Sequence, residues 1–353
     1  MKIVVLAGGL STERTVSLVS GQSVCKTLRK LGHRAVMVDM FLGLEDYEGD
    51  LEALFDVEDG RCGQFSILAA EPDLDAVRKM RKDKSASMFG KNVLEICSMA
   101  DLVFLGLHGA CGEDGRVQAT FDLLGIPYTG AGYLGSGMAM DKSVTKKFMD
   151  YAGIKTPAWS EFTYCEEDIP ALVEKLPVPC AVKIVNGGSS IGVSLPDTRE
   201  DLASALQELL AYGNHVIVEE KISGRELACA VLCDKYLPAV EIVPEGKYFD
   251  YVSKYQSGGA KEICPADITP QQQKEMGEMA LALHRAMGVE VYSRSDFLLD
   301  ENGGVWCLEI NTLPGLTPAS LLPKEAAAAG IDYETLCQLI TEESLKIRGG
   351  AKW

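Results

Sequence analysis

A charged hairpin near the carboxyl end of the chain constrains the fold most strongly. The stretch "SRSDFLLDENGGVWCLEINTLPG", residues 293–315, contains two apolar runs joined by "DENGG", in which Asn-Gly favours a tight turn. Antiparallel pairing about this turn sets Asp296 opposite Glu309 and Arg294 opposite Asn311. Because side chains alternate between the two faces of a strand, these four side chains point the same way.

This shared polar face predicts a metal site. Two carboxylates and an amide carbonyl that converge without a thiolate or imidazole favour Mg²⁺, a hard cation. The alternative is a solvated sheet face with one arginine–carboxylate pair. The polar residues cluster only at the end away from the turn, which favours the metal site. The opposite face is predicted to be core and comprises Phe297, Leu299, Trp306, Leu308 and Ile310.

Length, charge and cysteine usage limit the class of protein. The chain has 353 residues, of which 47% are hydrophobic, enough for about two or three domains of a soluble globular protein. Its net charge of −17 argues against a nucleic-acid partner, because phosphate contacts need a basic surface. No run is apolar enough for a signal peptide or a membrane span, so we expect no membrane association. The eleven cysteines lack paired metal spacing, which predicts reduced thiols in a cytoplasmic protein.

The apolar pattern divides the chain into an α/β part and an α+β part. "KIVVLAGG" is typical of a strand and glycine turn, and it precedes a helix that Gly32 ends and the strand "HRAVMVDM". With the buried strand "ADLVFLGLHG", this pattern predicts a parallel sheet. Near residue 130 the pattern changes to helices alternating with short strands, so we expect a second domain there. Residues 41–100 predict little.

Polar residues collect near glycine turns after two of the predicted strands. In "GLSTERTVSLVSG", Glu13 begins a helix, where it either interacts with the helix end or serves a site. In "LHGACGEDG", His108 ends a buried strand at the edge where open α/β sheets bind ligands, although a lone histidine is more often structural. A dinucleotide site is not supported, because "AGGLST" lacks the G-x-G-x-x-G order.

A second group of features suits phosphates. Lys183 precedes "NGGSSIGV", whose small residues either present N–H groups and hydroxyls to a phosphate or form a flexible turn. Lys142 in "MDKS" adds another cation. We interpret "VIVEEKISGREL" as a strand that leaves its sheet at residues 219–222 and resumes after Gly224, with Glu226 placed for a ribose. "KYFDYVSKYQSGGAKEICPA" is typical of a long functional loop. Together with the metal hairpin, these features predict an ATP-dependent enzyme.

The sequence motifs follow one another in a specific order. They are "GGLSTERTVSLVSG", "LHGACGEDG", "MDKS", "GGSSIGV", "VEEKISGRE", "FDYVSKY", "CPA", "SRSDFLL" and "LEINTLPGLTPASLLP". This order resembles the D-alanine–D-alanine ligase family of the ATP-grasp superfamily nearly end to end. The resemblance implies an N-terminal Rossmann-like parallel α/β domain followed by a two-subdomain ATP-grasp fold. The expected units are residues 1–130, the central subdomain 131–222 and the C-terminal subdomain 223–353.

The resemblance also implies how ATP and metal ions bind. The implied nucleotide-binding residues are Lys142 and Lys183 at the phosphates, Glu219 and Ile222 at the adenine, Glu226 at the ribose and Tyr248 beside the base. The implied ligands of two Mg²⁺ ions, for which Mn²⁺ is an expected substitute, are Asp296, Glu309 and Asn311.

In the implied reaction, ATP phosphorylates the carboxylate of one D-alanine, and the amine of a second D-alanine attacks the D-alanyl phosphate. The implied residues at the first D-alanine and the developing oxyanion are Glu13, His108, Arg294 and Gly315. Those at the second D-alanine are Lys254, Ser320 and Leu321. Glu13, Ser189 and Tyr255 resemble a hydrogen-bonded trio that closes the mobile loop. Peptidoglycan precursor synthesis and a homodimer follow from the same resemblance.

Other functions remain open at the level of sequence. A different ATP-grasp carboxylate–amine ligase is expected to lack Glu13, Tyr255 and "TPASLL", and a regulatory protein that binds ATP without turnover does not need Arg294. A D-alanine–D-serine or D-alanine–D-lactate ligase is the nearest alternative, although Tyr255 and the apolar Leu321 favour D-alanine as acceptor. The chain departs from the family pattern in two places. "VKIVN" has no proline after its lysine, and in Glu219-Glu220-Lys221 the lysine comes one place later than is common.

Overall fold

The computed structural model describes residues 1–67, 72–187, 192–244 and 260–350. The strands of its N-terminal part are β1 (Lys2–Ala7), β2 (Arg34–Asp39) and β3 (Leu102–Leu105). They form a parallel sheet in the order β2-β1-β3, as predicted. Each strand is almost entirely buried, because helices and connecting segments cover both faces of the sheet.

Helices surround this sheet. The first, α1 (Arg14–Lys30), packs against β1 and β2 and ends before Gly32, whose φ of +85° favours glycine. The further helices up to residue 152 are a 3₁₀ helix (Leu51–Asp56), α2 (Leu74–Met80), α3 (Val93–Met99), α4 (Arg116–Leu124), α5 (Tyr133–Met140) and α6 (Lys142–Ala152). Residues 41–100, where the sequence predicted little, therefore contain short helices and loops in the ranges described.

The central part contains an antiparallel sheet. Its strands are β4 (Trp159–Thr163), β5 (Cys180–Ile184), β6 (Val193–Ser194) and β7 (His215–Glu220), in the order β4-β7-β5-β6. Its helices are a 3₁₀ helix (Glu166–Asp168), α7 (Ile169–Lys175) and α8 (Arg199–Leu209). Leu202, Leu206 and Leu209 of α8 lie on one helical face and pack on this sheet as a separate apolar core.

The C-terminal part is built on a second antiparallel sheet. Its strands are β8 (Gly224–Leu232), β9 (Lys235–Tyr236), β10 (Val240–Pro244), β11 (Ala260–Ile263), β12 (Tyr292–Asp300) and β13 (Val305–Asn311). They follow the order β11-β10-β8-β12-β13, with β9 paired to β8. The helices are α9 (Pro270–Ala286), α10 (Leu321–Ala328) and α11 (Tyr333–Arg348). In the part of the chain that the structure describes, no helix is long and apolar enough to cross a membrane.

The hairpin β12–β13 has the predicted register at its polar end. Asp296 pairs with Glu309 and Arg294 pairs with Asn311, so the four side chains share one face. The predicted core face is wrong in part, because the register shifts after Asp296 and leaves Leu308 as an extra residue. Beyond this irregularity the alternation of β13 reverses, and the side chains buried there are Val305 and Cys307 in place of Trp306 and Leu308.

The segment between β7 and β8 is a crossover between two sheets. The sequence predicted that one strand leaves its sheet at residues 219–222 and resumes after Gly224. Instead β7 belongs to the central sheet and β8 to the C-terminal sheet. A Cβ on Gly224 would lie 2.4 Å from the Leu299 carbonyl oxygen, so close approach of the backbones accounts for glycine where the chain enters the second sheet.

Membership of the hydrophobic cores does not follow chain order. Met149 of α6 packs in the core between the C-terminal sheet and α9, although it precedes the central sheet in sequence. Leu336 and Ile340 of α11 join the core of the N-terminal sheet. Amphipathic helices thus bury their apolar faces against the nearest uncovered surface, and these contacts link the parts of the molecule.

Candidate active site

A cleft of about 1540 Å³ collects the polar residues that the sequence analysis singled out. Every predicted site residue within the described ranges lines it. These residues are Glu13, His108, Lys142, Lys183, Glu219, Ile222, Glu226, Arg294, Asp296, Glu309, Asn311, Gly315, Ser320 and Leu321. The remaining predicted site residues, Ser189, Tyr248, Lys254 and Tyr255, lie outside the described residues.

The polar end of the hairpin forms one wall of the cleft. The Arg294 guanidinium donates to both carboxylate oxygens of Asp296, over 2.7 and 2.8 Å. Asn311 Oδ1 accepts from the Leu313 N–H, which orients the amide beside the two carboxylates. Among the described residues, no group of three or more His, Cys, Asp or Glu side chains is arranged to hold a metal. Two carboxylates and one amide are hard-oxygen donors, the type of ligand that Mg²⁺ prefers.

Glu219 lies in a buried group of charges below the hairpin. Its carboxylate lies 2.8 Å from the Lys183 ammonium and 2.9 Å from that of Lys146, and Glu219 is 2% exposed. Burial by itself raises the pKa of Glu219, but the two ammonium groups outweigh it and bring the pKa below its ordinary value. Two lysine side chains thus surround one carboxylate, and burial lowers the pKa of Lys146 against the opposing effect of Glu219.

Lys142 brings a further cation to the same wall. It is the first residue of α6, whose N-terminus is capped by the Asp141 carboxylate through the Val144 N–H. The Lys142 ammonium donates to the Gly187 carbonyl and lies 3.6 Å from the Glu309 carboxylate. Lys142 thus connects the end of the glycine-rich segment with the polar end of the hairpin.

The N-terminal part contributes His108, Glu13 and Glu113 to the cleft. The His108 ring bridges Ser20 on α1, at 3.1 Å, and the Leu313 carbonyl after β13, also at 3.1 Å. Glu13 is buried and its side chain makes no capping hydrogen bond to α1, which disfavours a capping role. Burial raises the pKa of Glu113 above its ordinary value, against the opposing effect of His108.

Gly315 and Ser320 meet where the chain turns from the hairpin into α10. A Cβ on Gly315 would lie 2.7 Å from the Ser320 hydroxyl, so glycine permits this close approach. The Ser320 hydroxyl accepts from the Thr317 N–H at 3.1 Å and lies 2.8 Å from the Thr317 hydroxyl. This turn places the Gly315 backbone and the Ser320 hydroxyl together at the cleft surface.

The sequence analysis missed two charged residues, Lys146 and Glu113. Lys146 lies four residues after Lys142 in "MDKSVTKKFM", a spacing that puts both lysines on one face of a helix. That spacing is the signal by which Lys146 could have been found. Glu113 stands within the quoted motif "LHGACGEDG", but nothing in the motif distinguishes its acidic residues from one another.

Comparison with known proteins agrees with this geometry. The N-terminal profile described as "D-ala D-ala ligase N-terminus" matches residues 2–131, and "D-ala D-ala ligase C-terminus" matches residues 143–342. The chain is 42% identical to the D-alanine–D-alanine ligase of Pediococcus pentosaceus, over 96% of both chains. It is 40% identical to that of Lacticaseibacillus casei, over 98% of this chain and 96% of the relative.

A solved structure is similar throughout its length. The D-alanine–D-alanine ligase of Bacillus anthracis complexed with ATP superposes with a TM-score of 0.73 at 30% identity, covering 99% of both chains. The fold is therefore a parallel α/β domain followed by an ATP-grasp fold, and residues of both line the cleft. On its sequence and its fold, the chain belongs to the D-alanine–D-alanine ligase family.

Proposed function

We propose that this protein is an ATP-dependent ligase that joins two D-alanines into D-alanyl-D-alanine through a D-alanyl phosphate. The proposal depends on one observation. A single cleft, in a chain of this family, is lined by lysines, by oxygen ligands of the type that Mg²⁺ prefers and by the turn that contains Ser320 and Leu321. Peptidoglycan precursor synthesis is the role that follows from the product. The proposed units are residues 1–130, 131–222 and 223–353, each of which contains one of the described sheets.

The nucleotide is proposed to bind between the central and C-terminal sheets. Lys142 and Lys183 are assigned to the phosphates, a role supported by the position of both lysines on the wall of the cleft. Glu219 and the Ile222 backbone are assigned to the adenine, and Glu226 to the ribose. Tyr248, assigned beside the base, lies outside the described residues. The ATP complex of the Bacillus anthracis relative supports ATP as the nucleotide.

Asp296, Glu309 and Asn311 are the residues proposed to hold two Mg²⁺ ions, or Mn²⁺ in their place. The cross-strand pairing of Asp296 with Glu309 supports this assignment, because it puts two carboxylates on one face at the cleft. When bound, the ions would neutralise negative charge on the phosphates during transfer. Lys142 supplies a protein cation 3.6 Å from Glu309 and contributes to the same neutralisation.

The first D-alanine is proposed to lie between the N-terminal part and the hairpin. Glu13 is assigned to its ammonium and His108 to the neighbourhood of its carboxylate. Arg294 and the Gly315 N–H are assigned to the oxyanion that forms when the acyl phosphate is attacked. The position of Glu13 on the wall of the cleft supports its assignment, because a carboxylate there can face the ammonium of a bound amino acid. Ser189 and Tyr255, the proposed partners of Glu13 in loop closure, lie outside the described residues.

The second D-alanine is proposed to bind at Ser320 and Leu321, with Lys254, outside the described residues, at its carboxylate. Leu321 is 9% exposed and packs with Ala228, Val240 and Ile242, so the wall beside the acceptor side chain is apolar. A methyl group fits such a wall, whereas the hydroxyl of D-serine would lose water without a partner, at roughly 1–3 kcal/mol.

Acceptor choice also depends on charge. The amine of an acceptor must be uncharged when it attacks, and a protonated histidine at position 255 would disfavour an ammonium and favour a lactate anion. This chain has Tyr255 at that position, and a phenol is neutral at pH 7 with an ordinary pKa near ~10. D-alanine is therefore the proposed acceptor, ahead of D-serine and D-lactate.

An acceptor assay tests the proposal. With ATP, Mg²⁺ and D-alanine as donor, we expect phosphate release and dipeptide formation with D-alanine as acceptor, weak activity with D-serine and negligible activity with D-lactate at neutral pH. Comparable or faster reaction with D-serine or D-lactate would reassign the protein within the family. ATP binding without phosphate release under any of these conditions would instead indicate a regulatory nucleotide-binding protein.

The proposed setting is a homodimer in the cytoplasm. Exposed apolar side chains on the adjoining helices α4 and α5 support self-association, since Leu123 is 82% exposed and Leu134 is 60% exposed. Eleven free thiols, most of them buried, support a reducing compartment. Sedimentation of the protein with Leu123→Glu tests the dimer, because a buried carboxylate at an interface would shift the population towards monomer.

A further inference from the structure

A buried carboxyl group on helix α10 has no role in the assignments above. Glu325 lies on α10 one turn after Leu321, and its residue is 0% exposed. Burying a glutamate is unfavourable unless its oxygens find hydrogen-bond donors. Its contacts therefore indicate why the fold retains a carboxyl group at this position.

One oxygen of Glu325 fills a gap in the hydrogen-bond ladder of the C-terminal sheet. The Ala230 N–H of β8 donates to Glu325 Oε1 over 2.9 Å. The Ala230 carbonyl faces the same side of β8, where it accepts from the Leu237 N–H. The neighbouring chain leaves the ladder between β9, which ends at residue 236, and β10, which begins at residue 240. Glu325 thus supplies the acceptor that a continuous strand would have offered to the Ala230 N–H.

The gap lies across β8 from the strand that carries the proposed oxyanion residue, Arg294. Ala230 pairs with Arg294 across β8 and β12, and Ala228 pairs with Asp296. The paired residues share one face of the sheet, and the two alanine methyl groups leave room there for α10 and its Glu325 side chain. The Glu325 side chain therefore links the helix that begins next to Ser320 to the strand pair that carries Arg294.

The surroundings of the second oxygen of Glu325 bear on the protonation state of the carboxyl group. Glu325 Oε2 is buried and has no hydrogen-bond partner among the described residues. Burial raises the pKa of Glu325 to about 8, so the carboxyl group mostly carries its proton at pH 7. Glutamine reproduces the neutral shape and the accepting oxygen of this group, which makes it the conservative replacement.

We propose that Glu325 is a positioning residue for the acceptor site: its carboxyl group anchors α10 to β8 and so holds Ser320 and Leu321 at a fixed distance from Arg294. This inference rests on the proposed function, because the acceptor role of Ser320 and Leu321 belongs to it. A helix transmits the anchor rigidly over one turn, so loss of the hydrogen bond to Ala230 displaces the acceptor wall. The cations and carboxylates assigned to ATP lie on α6, β5, β7 and β8, not on α10, so a shift of α10 does not carry them with it.

Two variants of Glu325 test the proposal. Glu325→Met keeps the unbranched shape but removes the acceptor, whereas Glu325→Gln keeps the acceptor. We expect Glu325→Met to raise the KM for the second D-alanine by about tenfold or more, because displacement of a positioning element on the order of 1 Å has large kinetic effects. The KM for ATP should stay within about twofold of the wild-type value in Glu325→Met, and both KM values should stay within about twofold in Glu325→Gln.

The outcomes separate this inference from a purely structural role. A Met variant that is less stable but has an unchanged acceptor KM overturns the inference, as does an equal rise in both KM values. If the Met variant does not fold, Glu325→Asp, which shortens the reach of the carboxyl group, must give the selective rise, and its absence overturns the inference. A wild-type protein that forms no dipeptide refutes the proposed function together with this inference, whereas an active wild type with unaffected variants refutes the inference alone.

Discussion

At the residue scale, Arg294 and Asp296 are the pair on which the proposed chemistry depends. The side chain of Arg294 is 15% exposed and that of Asp296 is 20% exposed, so water screens their interaction only in part. The bidentate contact fixes the guanidinium plane at the cleft, where one oxyanion donor is needed. Asp296 thereby orients Arg294 as well as being a proposed metal ligand.

Replacement of Arg294 should affect turnover far more than binding. We predict that Arg294→Ala lowers kcat by roughly 10²-fold or more, the scale of one lost oxyanion donor, about 2.7–4 kcal/mol. Arg225 offers a matched control, because it makes a similar contact with Glu241 in the same sheet but is not among the residues that line the cleft. Phosphate-release rates measure the effect. A turnover of Arg294→Ala within a factor of two of the wild type would contradict the assignment.

At the element scale, the β12–β13 hairpin separates a polar end from an apolar one. Leu308 is an extra residue, so the side chains of β13 that precede it alternate in the opposite sense to the prediction. Leu308 therefore lines the cleft together with Leu298, and Cys307 lies in the core. The hairpin therefore presents carboxylates at its polar end and apolar side chains farther along the same cleft. This arrangement suits a ligand that has both a planar apolar group and an anionic group, such as a nucleotide.

The proposed metal ligands of this hairpin should differ in their effect on metal dependence. We predict that Glu309→Gln raises the Mg²⁺ concentration needed for half-maximal activity more than Asn311→Ala does, because the first change removes a negative charge from the proposed ligands and the second removes a neutral amide. Glu301→Gln serves as control, since it removes an exposed carboxylate at the turn end of the same hairpin. Titration of activity against Mg²⁺ gives the three midpoints. Unchanged midpoints in Glu309→Gln and Asn311→Ala would mean that this face is only solvated.

At the scale of the whole molecule, Lys146 connects two sheets. Its ammonium contacts Glu219 of β7 at 2.9 Å and donates to the Thr156 hydroxyl at 2.5 Å. The Thr156 hydroxyl in turn donates to the Cys307 carbonyl of β13 at 2.8 Å. The central and C-terminal sheets are thus joined by a buried polar path beneath the proposed phosphate site.

Interruption of this path should destabilise the protein. We predict that Lys146→Met lowers the free energy of unfolding by about 3 kcal/mol, the lower end of the cost of breaking a buried ion pair, because Glu219 keeps Lys183. Lys147→Met is the control, since Lys147 and Glu161 form an exposed pair worth about 1 kcal/mol or less. Urea unfolding followed by circular dichroism compares the two. Equal destabilisation of both variants would refute a special role for the buried path.

Local pattern determined the parallel N-terminal sheet, the end of α1 at Gly32 and the cross-strand partners of Arg294 and Asp296, because strand alternation and turn chemistry act over a few neighbouring residues. Motif order determined the family, as the matched profiles confirm. These features are encoded in short segments, each of which carries its own periodicity or turn residues.

Only the tertiary structure decided the register shift at Leu308, the passage of the chain from one sheet to another before Gly224, and the partners of the buried charges. Glu325 and Ala230 are 95 residues apart in sequence, and nothing near Glu325 marks it as the acceptor for a gap in a distant strand. Whether a charged side chain is buried, and which group satisfies it, depends on surfaces brought together by long-range packing, which local periodicity does not describe.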